Sequence, residues 1–209
     1  WSSDVCSSDL TKHKQFESIT QMLNNRYLLI GCELTAGNLG VAALGCSLVR
    51  WLHDSQPSCK ISVQNTGRVD SCEIETADGT PRVPCVPLHY GRSLRARSGT
   101  RRVEMLHTCG RMAPAPVRSW AFACNPAIEA VTKADVVIDV SAGDSFTELY
   151  GAQRFEPQCG IKETVLGLGR PLVLAPQTIG PFRTTAGRER AKRILEQCAL
   201  VATRDVFGL

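Results

Sequence analysis

The chain has 209 residues, of which 43% are hydrophobic and 21% charged, and its formal net charge is +4. These proportions are typical of a globular protein and exclude a disordered tail, a collagen and a coiled coil. No apolar run approaches the roughly 18–20 residues that a membrane-spanning helix needs, so we expect no transmembrane segment. The chain is long enough to bury a hydrophobic core.

The two ends of the chain bear on its division into domains. The first residue is not Met, and residues 1–10 match the translation of a common sequencing-library adapter. We therefore interpret residues 1–10 as an adapter-derived scar that is not native, and residues 11–26 as a poorly ordered leader. The chain stops just after an apparent strand, so we expect residues 27–209 to form one domain and a C-terminal domain to be missing.

From residue 27 onward, short apolar runs that predict strands alternate with amphipathic stretches that predict helices. The predicted strands are 27–32, 61–64, 135–140, 171–175 and 200–203, and the predicted helices include 41–52, 126–133 and 161–168. Residues 72–88 alternate around a turn at Asp78-Gly79-Thr80, and their prolines confine this hairpin to the sheet edge or surface. The alternation predicts an α/β fold, a Rossmann-like parallel sheet with helices on both faces.

Residues 91–118 form the most basic and least regular stretch, with seven arginines and a single acid, Glu104. We interpret it as an irregular basic excursion from the domain. It is either a solvated loop or exposed helix face, or an anion-attracting rim beside a site for acidic substrates. A nucleic-acid surface is disfavoured, because no aromatic residues interleave with the arginines.

The ten cysteines show no spacing typical of metal ligands, so we expect no metal. Cys46, Cys59, Cys72 and Cys85 recur every thirteen positions, but without further similarity they do not make a repeat. Several cysteines lie at predicted core positions, where free thiols are common. This usage favours a reducing, cytoplasmic compartment.

Four loops follow predicted strands, and the carboxyl edge of a parallel sheet is where ligands bind. These loops are 37–40, 141–145, 177–182 and 204–205. The first is either a weak anion cradle or a tight turn. In the second, Asp144 either contacts a sugar or acts as a base, or it caps a helical turn. Gln177 either orients a hydroxylated substrate or ties down its own loop, and Arg204 with Asp205 forms a structural ion pair or a substrate clamp.

Four segments carry a resemblance to a known family. The segments ADVVIDVSAGDSFTELYG and GRPLVLAPQTIGPF, followed by LVATRD, together with GNLGVAALGCSLVR, resemble the polysaccharide pyruvyl transferase family. The resemblance spans roughly residues 27–209 and is strongest from Ala134 onward. It implies the N-terminal half of a two-domain fold like that of the B-type glycosyltransferases, with the active site between the halves.

The resemblance also implies a reaction. Phosphoenolpyruvate is the donor substrate, its enolpyruvyl group passes to sugar hydroxyls of a polysaccharide or its precursor, and a pyruvate ketal and phosphate result. No cofactor is expected. Transfer of this kind needs a base for the sugar proton and an acid for the enol carbon.

Within this half, Asp144 is the catalytic candidate. The substrate-binding candidates are Asn38, Gly40, Gly143, Gln177, Gly180, Arg204 and Asp205. Many family members have an acid where this chain has Val41, so a base at that position is absent unless Asp144 substitutes for it. We expect the residues that hold phosphoenolpyruvate to lie in the C-terminal half, and this chain to be inactive alone. The alternatives are a nucleotide-sugar-dependent glycosyltransferase of the B type and a non-catalytic glycan-binding relative.

Overall fold

The computed structural model describes residues 26–32, 34, 38–65, 71–74, 79–91, 99–123 and 125–204. The strands are β1 (Arg26–Ile30), β2 (Lys60–Gln64), β3 (Ser71–Glu73), β4 (Arg82–Val86), β5 (Val136–Asp139), β6 (Leu172–Gln177) and β7 (Leu200–Thr203). The helices are α1 (Leu39–Ser55), α2 (Thr100–Met112), α3 (Ala115–Ala123), α4 (Pro126–Lys133), α5 (Ala152–Gly167) and α6 (Thr185–Gln197). The predicted scar, most of the predicted leader and Asp205 lie outside the described residues.

The strands form one sheet in the order β3-β4-β2-β1-β5-β6-β7. Its ladders are parallel apart from the antiparallel pair of β3 and β4. The chain builds the sheet outward from β1 in one direction, then returns to place β5 on the other side of β1. The boundary between β1 and β5 is therefore the topological switch point, and the predicted α/β class with a Rossmann-like parallel sheet is confirmed.

The core lies on both faces of the sheet because strand residues alternate in direction. Leu28 and Val137 are fully buried on the face covered by α2, α4, α5 and α6. Leu29 and Ile138 belong to the opposite core, to which α1 contributes Val49 and Leu52. Each such buried side chain stabilises the fold by about 1.5–3 kcal/mol.

The predicted start of α4 is confirmed in detail. The Asn125 side chain accepts hydrogen bonds from the backbone N–H groups of Ala127 and Ile128, and Pro126 occupies the first helical position. Both residues suit a helix start, since Asn satisfies free N–H groups and Pro lacks an N–H to satisfy.

The prediction of an irregular basic excursion is wrong for the described part of 91–118, because this part is mainly helical. Residues 100–112 form α2, and α3 begins at Ala115. Val103 is fully buried, and Leu106 packs against the same core. The arginines around this narrow apolar stripe concealed its helical spacing, while residues 92–98 lie outside the described residues.

Helix α5 begins at Ala152, well before the predicted start at residue 161. The helix contains Pro157, and an interior proline removes a backbone hydrogen bond and costs about 3 kcal/mol. The helix continues through it with Phe155 and Cys159 buried in the core on either side. Tertiary packing therefore outweighs the local cost.

The predicted hairpin is confirmed as β3 and β4, and it lies at one edge of the sheet as expected. Strand β4 also pairs in parallel with β2, so β4 is interior and β3 is the edge strand. Pro84 is tolerated because the ladder with β2 begins at the next residue, Cys85.

Arg190 connects α6 to α5. Its guanidinium donates two hydrogen bonds of 2.7 Å to the Glu163 carboxylate and one of 2.8 Å to Glu156. Both acids are on α5. The half-buried guanidinium thus fixes α6 against α5, and these hydrogen bonds raise its pKa further above the ordinary range.

Candidate functional site

A cleft of about 340 Å³ opens at the carboxyl edge of the sheet, at the switch point between β1 and β5. We call it the switch-point cleft. It is lined by Gly31, Cys32, Asn38, Val41, Gln64, Asp139, Ala142, Arg154, Gln158, Ile161 and Lys162. Side-chain amides, a carboxylate and two cations make its lining suited to a polar ligand.

A buried ionic cluster consists of Asp139, Ser141, Lys162 and Gln177, and two of its members, Asp139 and Lys162, line this cleft. The Lys162 ammonium lies 3.1 Å from Asp139 Oδ2, and both side chains are 1% exposed. Ser141 Oγ donates to the same carboxylate oxygen at 2.6 Å, and Gln177 Nε2 lies 3.3 Å from it. The Asp139 carboxylate is therefore paired and hydrogen-bonded, as burial of a charge requires.

Lys162 is committed to this cluster. Its ammonium donates to Ser141 Oγ at 2.8 Å and to the Gln158 carbonyl and side-chain oxygens at 3.2 Å. It also lies 4.6 Å from the centre of the Phe146 ring. Since an ammonium has three protons, these partners use its donor capacity. Lys162 thus holds the site together, and its charge is balanced within the protein.

The cluster fixes an unusual backbone corner directly after β5. Ser141, Ala142 and Gly143 have φ values of 43°, 53° and 84°, all in the left-handed region. This conformation costs an L residue roughly 1–3 kcal/mol, and it persists where surrounding contacts over-determine it. Here Ser141 bonds to Asp139 through its side chain, and Ala142 N–H donates to the Gly31 carbonyl at 2.7 Å. The corner sets the direction in which Gly143 and Asp144 leave the strand.

Gly31 is a residue of this site that the sequence interpretation did not select. Its φ is +69°, and an added Cβ would lie 2.5 Å from Ser141 N and 2.6 Å from Asp139 Oδ1. Its N–H donates to Gln64 Oε1 at 2.8 Å, which links β1 to β2. A glycine immediately after a buried strand was the available signal.

A second group, which we call the rim cluster, consists of Asp144, Ser145, Tyr150 and Arg154. The Tyr150 hydroxyl donates to Asp144 Oδ2 at 2.7 Å, and the Asp144 side of this contact is partly open to solvent. Arg154 donates to Ser145 Oγ at 3.0 Å and lies 5.2 Å from the centre of the Tyr150 ring. The hydrogen bond to Asp144, and then the charge of that carboxylate, raise the pKa of Tyr150.

The thiol in the cleft is not poised for chemistry. Burial, followed by the negative charge of Asp139, raises the pKa of Cys32 to about 12. Because the thiolate is the reactive form of cysteine, Cys32 lines the cleft as an unreactive, neutral thiol at physiological pH.

Asn38 and Gly40 lie at the start of α1. Asn38 Oδ1 accepts hydrogen bonds from Gly40 N–H at 3.0 Å and Val41 N–H at 3.4 Å. The side chain caps the helix, and Asn38 also lines the switch-point cleft. These contacts do not test the predicted role of Asn38 in acceptor binding, which stays a prediction.

The prediction that Gln177 lies in the loop after β6 is wrong. Gln177 is the last residue of that strand and is fully buried. Its Nε2 points toward Asp139, which follows from the attraction between an amide donor and a carboxylate. The residue therefore stabilises the buried ionic cluster and does not line the cleft. The loop interpretation failed because Pro176 suggested that the strand had ended.

The other predicted residues gather on the rim of the site. Gly180 N–H donates to the Phe146 carbonyl at 2.9 Å, which joins the loop after β6 to the loop after β5. Arg204 donates from Nε to Thr178 Oγ1 at 3.0 Å, and its guanidinium is 3.6 Å from where a Cβ on Gly143 would stand. Asp205 lies outside the described residues, so neither of its alternatives is decided.

Two residues of the buried ionic cluster were missed. Asp139 offered a signal, because an acid within a β-branched strand must have a buried partner. Lys162 offered none, since its partner is distant in the chain. Within the described ranges, no three His, Cys, Asp or Glu side chains group as metal ligands. None of the helices in that part of the chain is long and apolar enough to cross a bilayer.

The fold is an α/β layer with an open, polar-lined cleft at the switch point of a parallel sheet, which is where such sheets generally bind ligands. Comparison with protein-family models matches residues 38–209 to the family described as polysaccharide pyruvyl transferase. The chain therefore belongs to the polysaccharide pyruvyl transferase family and is a transferase. Comparisons with curated proteins and with solved structures give no match.

Proposed function

We propose that the protein transfers the enolpyruvyl-derived group of phosphoenolpyruvate to a saccharide, with the acceptor in the switch-point cleft. Family membership supports the pyruvyl group and a polysaccharide acceptor. The observation that carries the acceptor site is the placement of Asn38, Gln158 and Arg154 around one open cleft. Amides both donate and accept hydrogen bonds, which suits them to sugar hydroxyls.

The proposed reaction balances without a cofactor. One sugar hydroxyl adds across the enol double bond, its oxygen to C2 of phosphoenolpyruvate and a proton to C3. A second hydroxyl then displaces phosphate from C2, and a cyclic ketal and inorganic phosphate result. Each hydroxyl loses a proton, so a base near the acceptor accelerates both steps.

Asp144 is our candidate for that base. Its carboxylate lies at the rim, partly exposed, on the loop that the strained corner directs outward. Tyr150 holds one carboxylate oxygen by a hydrogen bond of 2.7 Å, which fixes the orientation of the other. Asp139, by contrast, is enclosed and paired with Lys162, so it is unsuited to receive a substrate proton.

We further propose the two-domain arrangement of the B-type glycosyltransferases and a cytoplasmic location. The open carboxyl edge, with Arg204 on its rim, supports a facing domain that would supply the residues for phosphoenolpyruvate. The described cysteines, all free thiols, support a reducing compartment.

The test is acceptor-dependent release of phosphate from phosphoenolpyruvate by a protein that carries this chain together with the facing domain, since we expect the chain alone to be inactive. We expect Asp144→Asn to lower turnover by about 10²–10⁴-fold, the usual contribution of a general base. Glu129→Gln, which removes a partly exposed acid on α4 that pairs with Lys133, is the matched control and should retain full turnover. Equal losses in the two variants would remove Asp144 from the mechanism.

A ligand-binding measurement separates the competing functions. Thermal unfolding is followed with phosphoenolpyruvate, with nucleotide-diphosphate sugars and with saccharides, since a ligand that binds the folded state raises its unfolding temperature. Stabilisation by nucleotide sugars and not by phosphoenolpyruvate would identify a glycosyltransferase. Saccharide binding without phosphate release would identify a glycan-binding relative.

A further inference from the structure

Cys72 and Cys85 lie side by side at the edge of the sheet opposite to β7. Cys72 is the middle residue of β3, and Cys85 is on β4, diagonally across the antiparallel ladder on the same face. Their sulfur atoms are 3.4 Å apart. The regular spacing of thirteen positions has no meaning as a repeat, but the hairpin brings these two of its members together.

This pair differs from the buried cysteines of the core. Burial raises the pKa values of Cys32 and Cys159 to about 12, so these buried thiols are shielded and protonated. Cys72 and Cys85 are both half-buried, and oxidants reach partly exposed sulfur more readily. An exposed cysteine, Cys109, lies elsewhere on α2 and serves below as a reference.

The geometry allows the sulfur atoms to bond. A disulfide needs a separation of about 2.05 Å, so the two sulfurs must approach by roughly 1.3 Å in total. Rotation about the side-chain bonds, with a small shift of a three-residue edge strand, supplies such a movement. The two strands are already held in register by their ladder, so no refolding is needed.

We propose that Cys72 and Cys85 form an intramolecular disulfide when the protein meets a disulfide oxidant such as oxidised glutathione. A thiolate of the pair attacks oxidised glutathione, forms a mixed disulfide and releases one reduced glutathione. The second thiolate then attacks the protein sulfur and releases another. Two thiols and one oxidised glutathione give one protein disulfide and two reduced glutathiones.

The reduced pair is the resting state at neutral pH. Burial, followed by the hydrogen bond and charge interaction with Cys85, raises the pKa of Cys72 to about 11. Cys72 is therefore mainly protonated at neutral pH, and its reaction with a disulfide oxidant becomes faster as the pH rises. The pair stays reduced where no oxidant is supplied, which agrees with the reducing compartment that we propose. The inference is independent of the transferase reaction.

The bond would fix β3 to its neighbour. Strand β3 has three residues and pairs with β4 at the edge of the sheet, where local unfolding needs the least free energy. A cross-link restricts the unfolded chain between residues 72 and 85. We expect oxidation to raise the unfolding temperature by about 5 °C.

The test is oxidation of the whole chain with oxidised glutathione, followed by digestion without reductant and mass spectrometry. We expect a linked peptide pair containing Cys72 and Cys85, lighter by two hydrogen atoms than the two free peptides. In Cys85→Ser, Cys72 should instead retain a glutathione, since no second thiol can displace it. Cys109→Ser is the matched control and should form the Cys72–Cys85 link in full yield.

The proposal is overturned if the unsubstituted chain keeps Cys72 and Cys85 free or separately glutathionylated under conditions that modify Cys109. A link that forms without a rise in unfolding temperature supports the disulfide and contradicts only the expected stabilisation of β3. The unsubstituted chain gives both readings, so the test does not depend on a variant that folds.

Discussion

The buried ionic cluster and the rim cluster contain the same kinds of groups in opposite surroundings. Each has a carboxylate that accepts a hydrogen bond from a hydroxyl, with a cation nearby. Asp139 is 1% exposed and is paired within the protein, whereas Asp144 is partly exposed and reaches solvent. Burial therefore makes one acid a structural support and leaves the other free to meet a substrate.

The physical reason is the strength of electrostatic interactions at the two places. Between buried groups, water does not screen the attraction of Lys162 for Asp139, and removing either partner leaves an uncompensated charge. At the rim, water and salt screen the charges of Asp144 and Arg154. We expect substitutions to affect folding at the first cluster and substrate turnover at the second.

The largest expected effect is that of Lys162→Met. It leaves the Asp139 carboxylate buried without its cation, and we expect a loss of about 3–5 kcal/mol in the free energy of unfolding. Chemical denaturation measures the loss. The double variant Asp139→Asn with Lys162→Met should recover part of it, because no charge is then buried. A loss below about 1 kcal/mol for the single variant would show that the pair is not structural.

Gly31→Ala should have the next largest effect, about 2–4 kcal/mol. The new Cβ would meet the Ser141 backbone and the Asp139 carboxylate, and φ is +69°. Gly169→Ala is a matched control, since Gly169 has φ +70° and nothing within 4 Å of an added Cβ. The difference between the two variants in chemical denaturation isolates the contact with the buried ionic cluster. Equal losses would mean that backbone conformation alone accounts for Gly31.

Asp144→Asn should change the free energy of unfolding by about 0.5 kcal/mol or less, as surface substitutions usually do. Asp139→Asn, the same chemical change in the buried ionic cluster, should cost several times more, because it leaves Lys162 without its counter-ion. Parallel denaturation curves of the two variants measure the contrast. Similar losses would contradict the distinction between the clusters.

The smallest expected effect concerns the titration of Tyr150. The anionic Asp144 carboxylate favours the protonated phenol, so the pKa of Tyr150 is raised and its hydrogen bond is lost as the pH rises through that value. Asp144→Asn should lower this pKa toward its ordinary value. Ultraviolet titration of phenolate, with Tyr150→Phe subtracted to isolate the signal, measures the change. An unchanged curve in Asp144→Asn would show that the two side chains do not interact in solution.

Much of the fold could be predicted because its signals are local. The buried strands have continuous apolar runs, and α4 begins with an Asn-Pro pair. Local signals were misleading at α2 and α5, where clustered arginines and Pro157 are unfavourable to a helix. Packing in the core stabilises both helices nonetheless. Convergence of the loops at one edge followed from the parallel sheet.

The sequence by itself determined the alternation of strands and helices, the cap of α4 and the polar loops after the strands, because each depends on residues close together in the chain. The tertiary structure decided which acid is enclosed and which is open. Asp139 meets Lys162 because α5 packs over the end of β5, and Asp144 faces outward because the strained corner turns it there. Such pairings depend on packing and desolvation across distant segments, which local spacing does not record.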